Sequence, residues 1–335
     1  KNVNIFDYSQ VMKDVPQSLT SSFNVEYSMI LESLDNPNFN IQNIIGNSLV
    51  NKEFEIKIND IQSNIEITNN KIQVIKNKLG DNLPVLCNFV CKQYELKGAV
   101  NSKRKKLQKE IDQIKKQIEI KESDIKLCKE NNIFQNSLNS LHAEKNYFES
   151  YLQNQKNKIL KILFDLGLIN ENYSLLEMGK QAIQIKEMDG ILGSYLVQQP
   201  EFTNLSSEQI VLVLSSFVDI PTPEEERLVN PNSNEVINKI LNDVKQFNNR
   251  KLELEAKEQY FTNYYSKINY DLIDYCEQWV GATNESQCKL ILNNLVLEKQ
   301  IYLGDFNKIL IKIVNISNEL SNVCELSGNM ELKSK

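Results

Sequence analysis

Apolar side chains recur at steps of three and four along three long stretches of this chain. Ile58, Ile61, Ile65, Thr68, Ile72, Ile75 and Leu79 make the first. Leu107, Ile111, Ile114, Ile118, Lys121, Ile125 and Cys128 make the second. The third runs through Leu138, Leu141, Lys145, Phe148, Leu152, Gln155, Ile159, Ile162 and Leu166. This is the a/d seam of a coiled coil, broken by a few polar positions. Between the first two stretches lies "GDNLPVLCNFVCKQYELKGAV", bounded by Gly80 and Gly98, with room for a tip holding a short strand or helix. A helix of roughly 25–30 residues reaches about 40 Å. The pattern therefore predicts an antiparallel helical arm projecting from a base.

The flanks carry different patterns. In "DVPQSLTSSFNVEYSMILESL", Pro16 disfavours helix at Val15. Ser18 or Ser21 is placed to cap a helix with Phe23, Tyr27, Ile30, Leu31 and Leu34 on its core face. After the arm, "ILKILFDLGLINENYSLLEMGKQAIQI" predicts a helix ending at Gly167, a turn over Asn170 to Asn172, and a restarted helix. Helix, hairpin and helix in that order suggest a winged-helix element. Ser206 with Gln209 three residues on has capping-box spacing. "DIPTPEEERLVNPNSNE" has three prolines and an acidic run and reads as a linker. Helices expected near Ser233, Tyr260, Ser286 and Asp305 then form a bundle. The expected fold is mainly α: a split winged-helix element, an inserted antiparallel coiled-coil arm, and a C-terminal helical bundle. Residues 1–50 begin the base, 51–157 are the arm, 158–220 return to the base, 221–234 link, and 235–335 are the bundle.

One bundle segment, "YLGDFNKILIKIVNISNEL", looks apolar almost all the way round. Asp305 is placed to cap it, and Gly304 to let the chain turn into it. Phe306, Ile309, Leu310, Ile313, Ile316 and Leu320 share one face, and Ile311 and Val314 widen it. Lys308, Lys312, Asn315 and Glu319, spaced four, three and four, form a single polar line. That line faces either water or a channel.

Composition narrows the classes. Gly (10) and Pro (7) are scarce, which favours long helices. The first residue is Lys rather than Met, so a fragment of a longer chain is expected. The net charge of −6 gives no global basicity. Its distribution is uneven: residues 101–161 hold 14 basic and 8 acidic side chains, residues 162–230 hold 3 and 11. Such asymmetry suggests parts that face different neighbours. Heavy use of Asn, Ile and Lys fits an AT-biased genome. No apolar run approaches the ~20 residues that span a bilayer, and no signal peptide is expected. The expected location is soluble and intracellular, in cytoplasm or, if the genome is viral, a virion. The six cysteines, Cys87, Cys91, Cys128, Cys276, Cys288 and Cys324, are expected reduced.

Little catalytic chemistry is legible. The one histidine, His142, lies in a polar stretch of the third seam and is expected exposed. Cys87 and Cys91 are the one closely spaced cysteine pair, and a structural zinc site would need a second. No GxxxxGK[ST] or GxGxxG loop is present. "MGKQA" lacks the preceding strand, and no Asp-Glu-X-His or Asp-Glu-X-Asp run offers to hold magnesium. The densest basic stretch is "NSKRKKLQKE", with Lys103, Arg104, Lys105, Lys106 and Lys109; it is a solvated helix end or a phosphate-contacting patch.

Three blocks in order carry a resemblance: "PQSLTSSFNVEYSMIL", "LFDLGLINENYSLLEMGKQAIQI...LSSEQIVLVLSSFV", and "YDLIDYCEQWVGAT...YLGDFNKILIKIVNISNEL". Together they resemble the region C-terminal to the two motor domains of DExH-box RNA helicases of the superkiller and exosome-cofactor group. The arm falls where that family inserts its arch. Trp279 and Gly281 stand at the usual tryptophan and glycine. The tip here is too short for the family's small KOW-type β-barrel, so that barrel's functions are not carried over. Where the family has a glycine followed four residues later by an arginine, this chain has Gly304 and Lys308, with Lys312 a turn on. The charge survives; the bidentate fork does not. The resemblance implies an accessory module of an ATP-dependent RNA helicase that closes a channel over single-stranded nucleic acid, RNA rather than DNA. Lys308, Lys312, Asn315 and Glu319 would face the strand. ATP and Mg2+ would bind upstream motor domains of the same chain, with no cofactor or membrane here, and the arm would dock protein partners. The alternative is a coiled-coil scaffold with no enzymatic parent.

Overall fold

The computed structural model describes residues 23–229, 234–260, 262 and 266–335. The expectations on Val15, Pro16, Ser18, Ser21 and Ser233 lie outside these residues. The first described helices are α1 (Tyr27–Asp35) and α2 (Ile41–Gly46). The described chain is mainly α and divides into two compact units, residues 45–152 with Phe23, and residues 24–44 with those from 153 onward.

In the first unit the seams become helices. Helix α3 (Leu49–Leu79) starts where the Ser48 hydroxyl accepts the Asn51 N–H at 3.3 Å. It buries Ile61, Ile65, Thr68, Ile72, Ile75 and Leu79, the first apolar line. The tip is helical: α4 (Leu83–Gly98), with a proline in its first turn, packs on α5 (Asn101–Gln117). Helix α6 (Glu122–Asp165) supplies the third seam. Ile61, Ile65, Ile72 and Leu138 form one core cluster, with Phe134, Leu141 and Phe148 against it. Phe54 meets Phe148 at 5.1 Å, and Lys145 donates to Gln62 Oε1 at 2.9 Å, so the polar seam position Lys145 is satisfied across an antiparallel α3–α6 pair. A second cluster joins Ile75, Leu79, Leu86, Phe89, Val90, Ile111, Ile114 and Cys128 from all four helices.

The second seam is not one helix. It stops at Gln117, Ile118 is extended, and α6 begins at Glu122. In "QIEI", Ile118 and Ile120 alternate with a polar residue, and both pack on the second cluster, Ile118 from an extended backbone.

The second unit is built around α8. After α6, Gly167 takes the left-handed conformation (φ 79°) that ends the helix, as its sequence position predicts. Asn170 then organises a tight turn, its side-chain oxygen accepting the N–H groups of Asn172 and Ser174, both at 2.9 Å. Ile169 and Leu175 make one isolated antiparallel bridge rather than a ladder. Next come α7 (Glu177–Gln184), α8 (Gly190–Val197), α9 (Pro200–Thr203) and α10 (Ser207–Ser215). Ser206 and Gln209 form the capping box read from sequence. Helix α8 is buried nearly all round and touches α7 and α9.

The bundle comprises α11 (Glu235–Glu258), α12 (Ile273–Gly281), α13 (Glu285–Lys299), α14 (Leu303–Ser327) and α15 (Met330–Lys333). The helix expected near Tyr260 starts instead at Ile273. Tyr260 is a buried anchor whose hydroxyl donates to the Val25 carbonyl at 2.8 Å. The described part of the 221–234 segment is pinned in place. Arg227 donates to the carbonyls of Thr222 (2.9 Å) and Ile220 (3.0 Å), and Thr222 donates to that of Lys299 at 2.8 Å. Asp271, bound to Lys299 at 2.6 Å, accepts the Leu228 N–H.

Candidate nucleic-acid interface

Helix α14 carries the polar line. Its first residue is preceded by extended Tyr302, which offers no side-chain cap, and Asp305 sits in the first turn rather than at the N-cap. There its charge still favours the helix N-terminus. Gly304 is inside the helix and is not a turning point. Phe306, Ile309, Ile313, Ile316, Leu320, Val323 and Cys324 form the buried face, and Trp279 meets Phe306 edge-on at 5.1 Å.

The helix is not buried all round. Ile311 and Val314 are 52% and 57% exposed and lie opposite the buried face, beside exposed Asn307 and Asn318. At 100° per residue, the line of Lys308, Lys312, Asn315 and Glu319 runs along the border between the two faces. The structure treats its members differently. Lys308 is 79% exposed and pairs with Asp305 at 3.2 Å. Lys312 pairs with Glu187. Asn315 is half-buried. Glu319 accepts the backbone N–H groups of Lys186 (2.9 Å) and Glu187 (2.8 Å). Half of the line is thus engaged by the α7–α8 loop.

That loop leads into a buried polar network that periodicity did not reveal. Asp189 caps α8: its Oδ1 accepts the N–H groups of Ile191 (2.9 Å) and Leu192 (3.3 Å). Its Oδ2 accepts from Lys251 on α11 at 2.5 Å and from Ser266 at 2.6 Å. The Lys251 side chain is only 3% exposed. Its ammonium also lies 5.8 Å from the Tyr27 ring centre, and the Tyr27 hydroxyl donates to Glu255 at 2.8 Å. Burial alone would push Asp189 upward. The Lys251 charge, with hydrogen bonds from Lys251, Ser266 and the Leu192 N–H, outweighs it and holds the carboxyl below its ordinary value. Burial pushes Glu255 up, and Asp189 adds to this, by more than Tyr27 and Lys251 bring it down. A cavity of about 440 Å³ adjoins the network, lined by Tyr27, Leu31, Lys186, Phe217, Lys251 and Lys312 among others.

An open cleft of about 780 Å³ lies between α8 and α11. Tyr195 and Phe247 stack within it at 4.0 Å, and Arg250 donates to the Asp165 carbonyl at 2.7 Å. On α5, Lys103, Arg104, Lys105, Lys106 and Lys109 are all exposed. His142 is exposed on α6. Among the described residues, no group of three or more His, Cys, Asp or Glu side chains is placed to hold a metal ion.

Residues 172–335 match the DSHCT (NUC185) domain. The DSHCT-matching region runs from the tight turn to the C-terminal residue and contains Glu187, Asp189, Lys251 and all of α14. A wider match reaches mRNA transport homolog 4 of Caenorhabditis elegans, 22% identical over 251 residues. It covers 74% of this chain but 22% of that relative's length. Both findings support the resemblance to the C-terminal region of an RNA helicase. Helix α1 lies outside the DSHCT match yet packs on α7 and supplies Tyr27 to the network. No helix among the described residues is long and apolar enough to cross a membrane.

Proposed function

We propose that this chain is the C-terminal accessory module of an ATP-dependent RNA helicase. The carrying observation is the DSHCT match over residues 172–335, which contains α14 with its outward border of Lys308 and Asn315. In this reading ATP and Mg2+ bind motor domains elsewhere in the longer protein, and a single strand of RNA passes along α14. Lys308 meets a phosphate. Its pairing with Asp305 is solvent-exposed, contributes little, and gives way easily. Asn315 offers hydrogen bonds beside it. Lys312 and Glu319 hold α14 to the α7–α8 loop, so the helix keeps its place while the strand advances. Held there between steps of the motor, the strand cannot slip back. The α5 cations add phosphate contacts on the arm, where protein partners also dock.

The test is equilibrium binding of the 335-residue chain to single-stranded RNA at several salt concentrations. Each phosphate contact adds about −0.7 to the log–log slope on a single strand. Lys308→Glu makes the slope shallower. Salt-insensitive binding to a protein partner, with none to RNA, instead supports the coiled-coil scaffold.

A further inference from the structure

Two thiols lie against each other where the four helices of the first unit meet. Cys87 on α4 and Cys128 on α6 are 41 positions apart in sequence, yet their sulfurs are 2.8 Å apart. A disulfide bond is about 2.04 Å long, so closure needs less than about 1 Å of movement. Cys128 is fully buried in the cluster with Leu86, Phe89 and Ile111. Cys87 is half-buried and also faces Asn132 Oδ1 at 3.8 Å. Cys91, one turn along α4, is exposed. This arrangement has one guarded thiol, one reachable thiol and, among the described residues, no metal-ligand cluster around them.

We propose that Cys87 and Cys128 are a site of reversible oxidation, closing to a disulfide that ties α4 to α6 when a hydroperoxide is the oxidant. Burial, with the Cys87 contact adding to it, pushes the Cys128 thiol up to about 12, so it stays protonated and waits as the resolving group. Cys87 meets the oxidant. Its thiolate attacks one peroxide oxygen, the O–O bond breaks, and Cys87 becomes a sulfenic acid as water or an alcohol leaves. The Cys128 sulfur then attacks the Cys87 sulfur. The S–S bond forms, the S–O bond breaks, and the departing hydroxide takes the Cys128 proton as water. With hydrogen peroxide, two thiols and one peroxide give one disulfide and two waters. In the reduced state α4 is held by apolar contacts and by the Lys92–Glu110 pair to α5. The new bond joins it covalently to α6.

The test is treatment of the 335-residue chain with hydrogen peroxide, followed by alkylation of free thiols, digestion and mass spectrometry. The expected result is a Cys87–Cys128 linked peptide lighter by two hydrogens, lost on addition of a reductant. Cys91→Ser retains it, while Cys87→Ser and Cys128→Ser abolish it. The wild-type peptide is the primary readout, so the outcome does not depend on either serine variant folding. Recovery of Cys87 and Cys128 both alkylated after peroxide, or of a Cys87–Cys91 or interchain link in their place, overturns the proposal.

Discussion

Replacing Lys251 with Met removes the positive partner of a carboxylate that has nowhere to go. Met keeps most of the aliphatic stem beside Tyr27, so packing changes little. What is lost is the 2.5 Å pair with Asp189 in a site where Lys251 is 3% exposed. Breaking a buried pair from one side costs about 3–5 kcal/mol, because a buried charge is left without compensation. Asp189 keeps hydrogen bonds from Ser266 and two N–H groups, which places the expected loss near the lower end, about 3 kcal/mol. For a unit of about 200 residues that lowers the melting temperature by roughly 6–12 °C. Calorimetry or urea unfolding followed by helical signal measures it. The diagnostic variant is Lys251→Met with Asp189→Asn. The amide still caps α8 but carries no charge, so the double variant recovers much of the loss. A loss below about 1 kcal/mol for Lys251→Met, or a double variant that merely adds two separate losses, refutes the role assigned to this pair.

Gly190→Ala places a Cβ 2.4 Å from the Ala182 carbonyl oxygen, backbone against backbone, and is expected to cost about 1–3 kcal/mol in urea unfolding. Glu319→Ala frees the N–H groups of Lys186 and Glu187 to solvent and loosens the α7–α8 loop; amide exchange at these two positions quickens, with a stability loss of about 1 kcal/mol. The pH dependence has two opposing parts. Glu255 has a folded value above its unfolded value near 4.3, so it contributes a gain in stability as pH falls through the raised value; Glu255→Gln removes that gain from the urea midpoint. Asp189 has a folded value below its unfolded value near 3.9, so its contribution is fully present above that and is lost only under stronger acid.

The long helix α3 was legible because its signal is local. Ile61, Ile65, Ile72 and Ile75 recur along one backbone, and the same spacing that predicts the helix also selects its buried face. The second seam misled at Ile118, where alternation over three residues outweighed a helical period fitted across more than twenty. Asp189 stood directly before "GILGSYLV", a readable capping position, but its ion pair was not readable. Lys251 lies 62 positions away and is a residue type that usually meets water. Helix α14 failed in the opposite direction. Its apolar content suggested a helix covered everywhere but along the polar line, whereas Ile311 and Val314 face outward. Hydropathy reports what a side chain prefers, and only the packed neighbours say which faces are covered. The polar line was found correctly as a line; that Lys312 and Glu319 are spent on the α7–α8 loop required the fold.

This division of labour decides how the central claim is best tested. Lys312→Glu would set two carboxylates together at Glu187 and disturb the loop, so a loss of activity there would be ambiguous. Lys308, exposed and lightly paired, is the clean position. The direct measurement is ATP-driven RNA unwinding by the full-length protein carrying Lys308→Glu, with ATP hydrolysis and melting temperature recorded in parallel. The account predicts a loss of about tenfold in unwinding, the equivalent of about 1.4 kcal/mol in holding the strand, with hydrolysis and stability retained. Unwinding at the wild-type rate contradicts it.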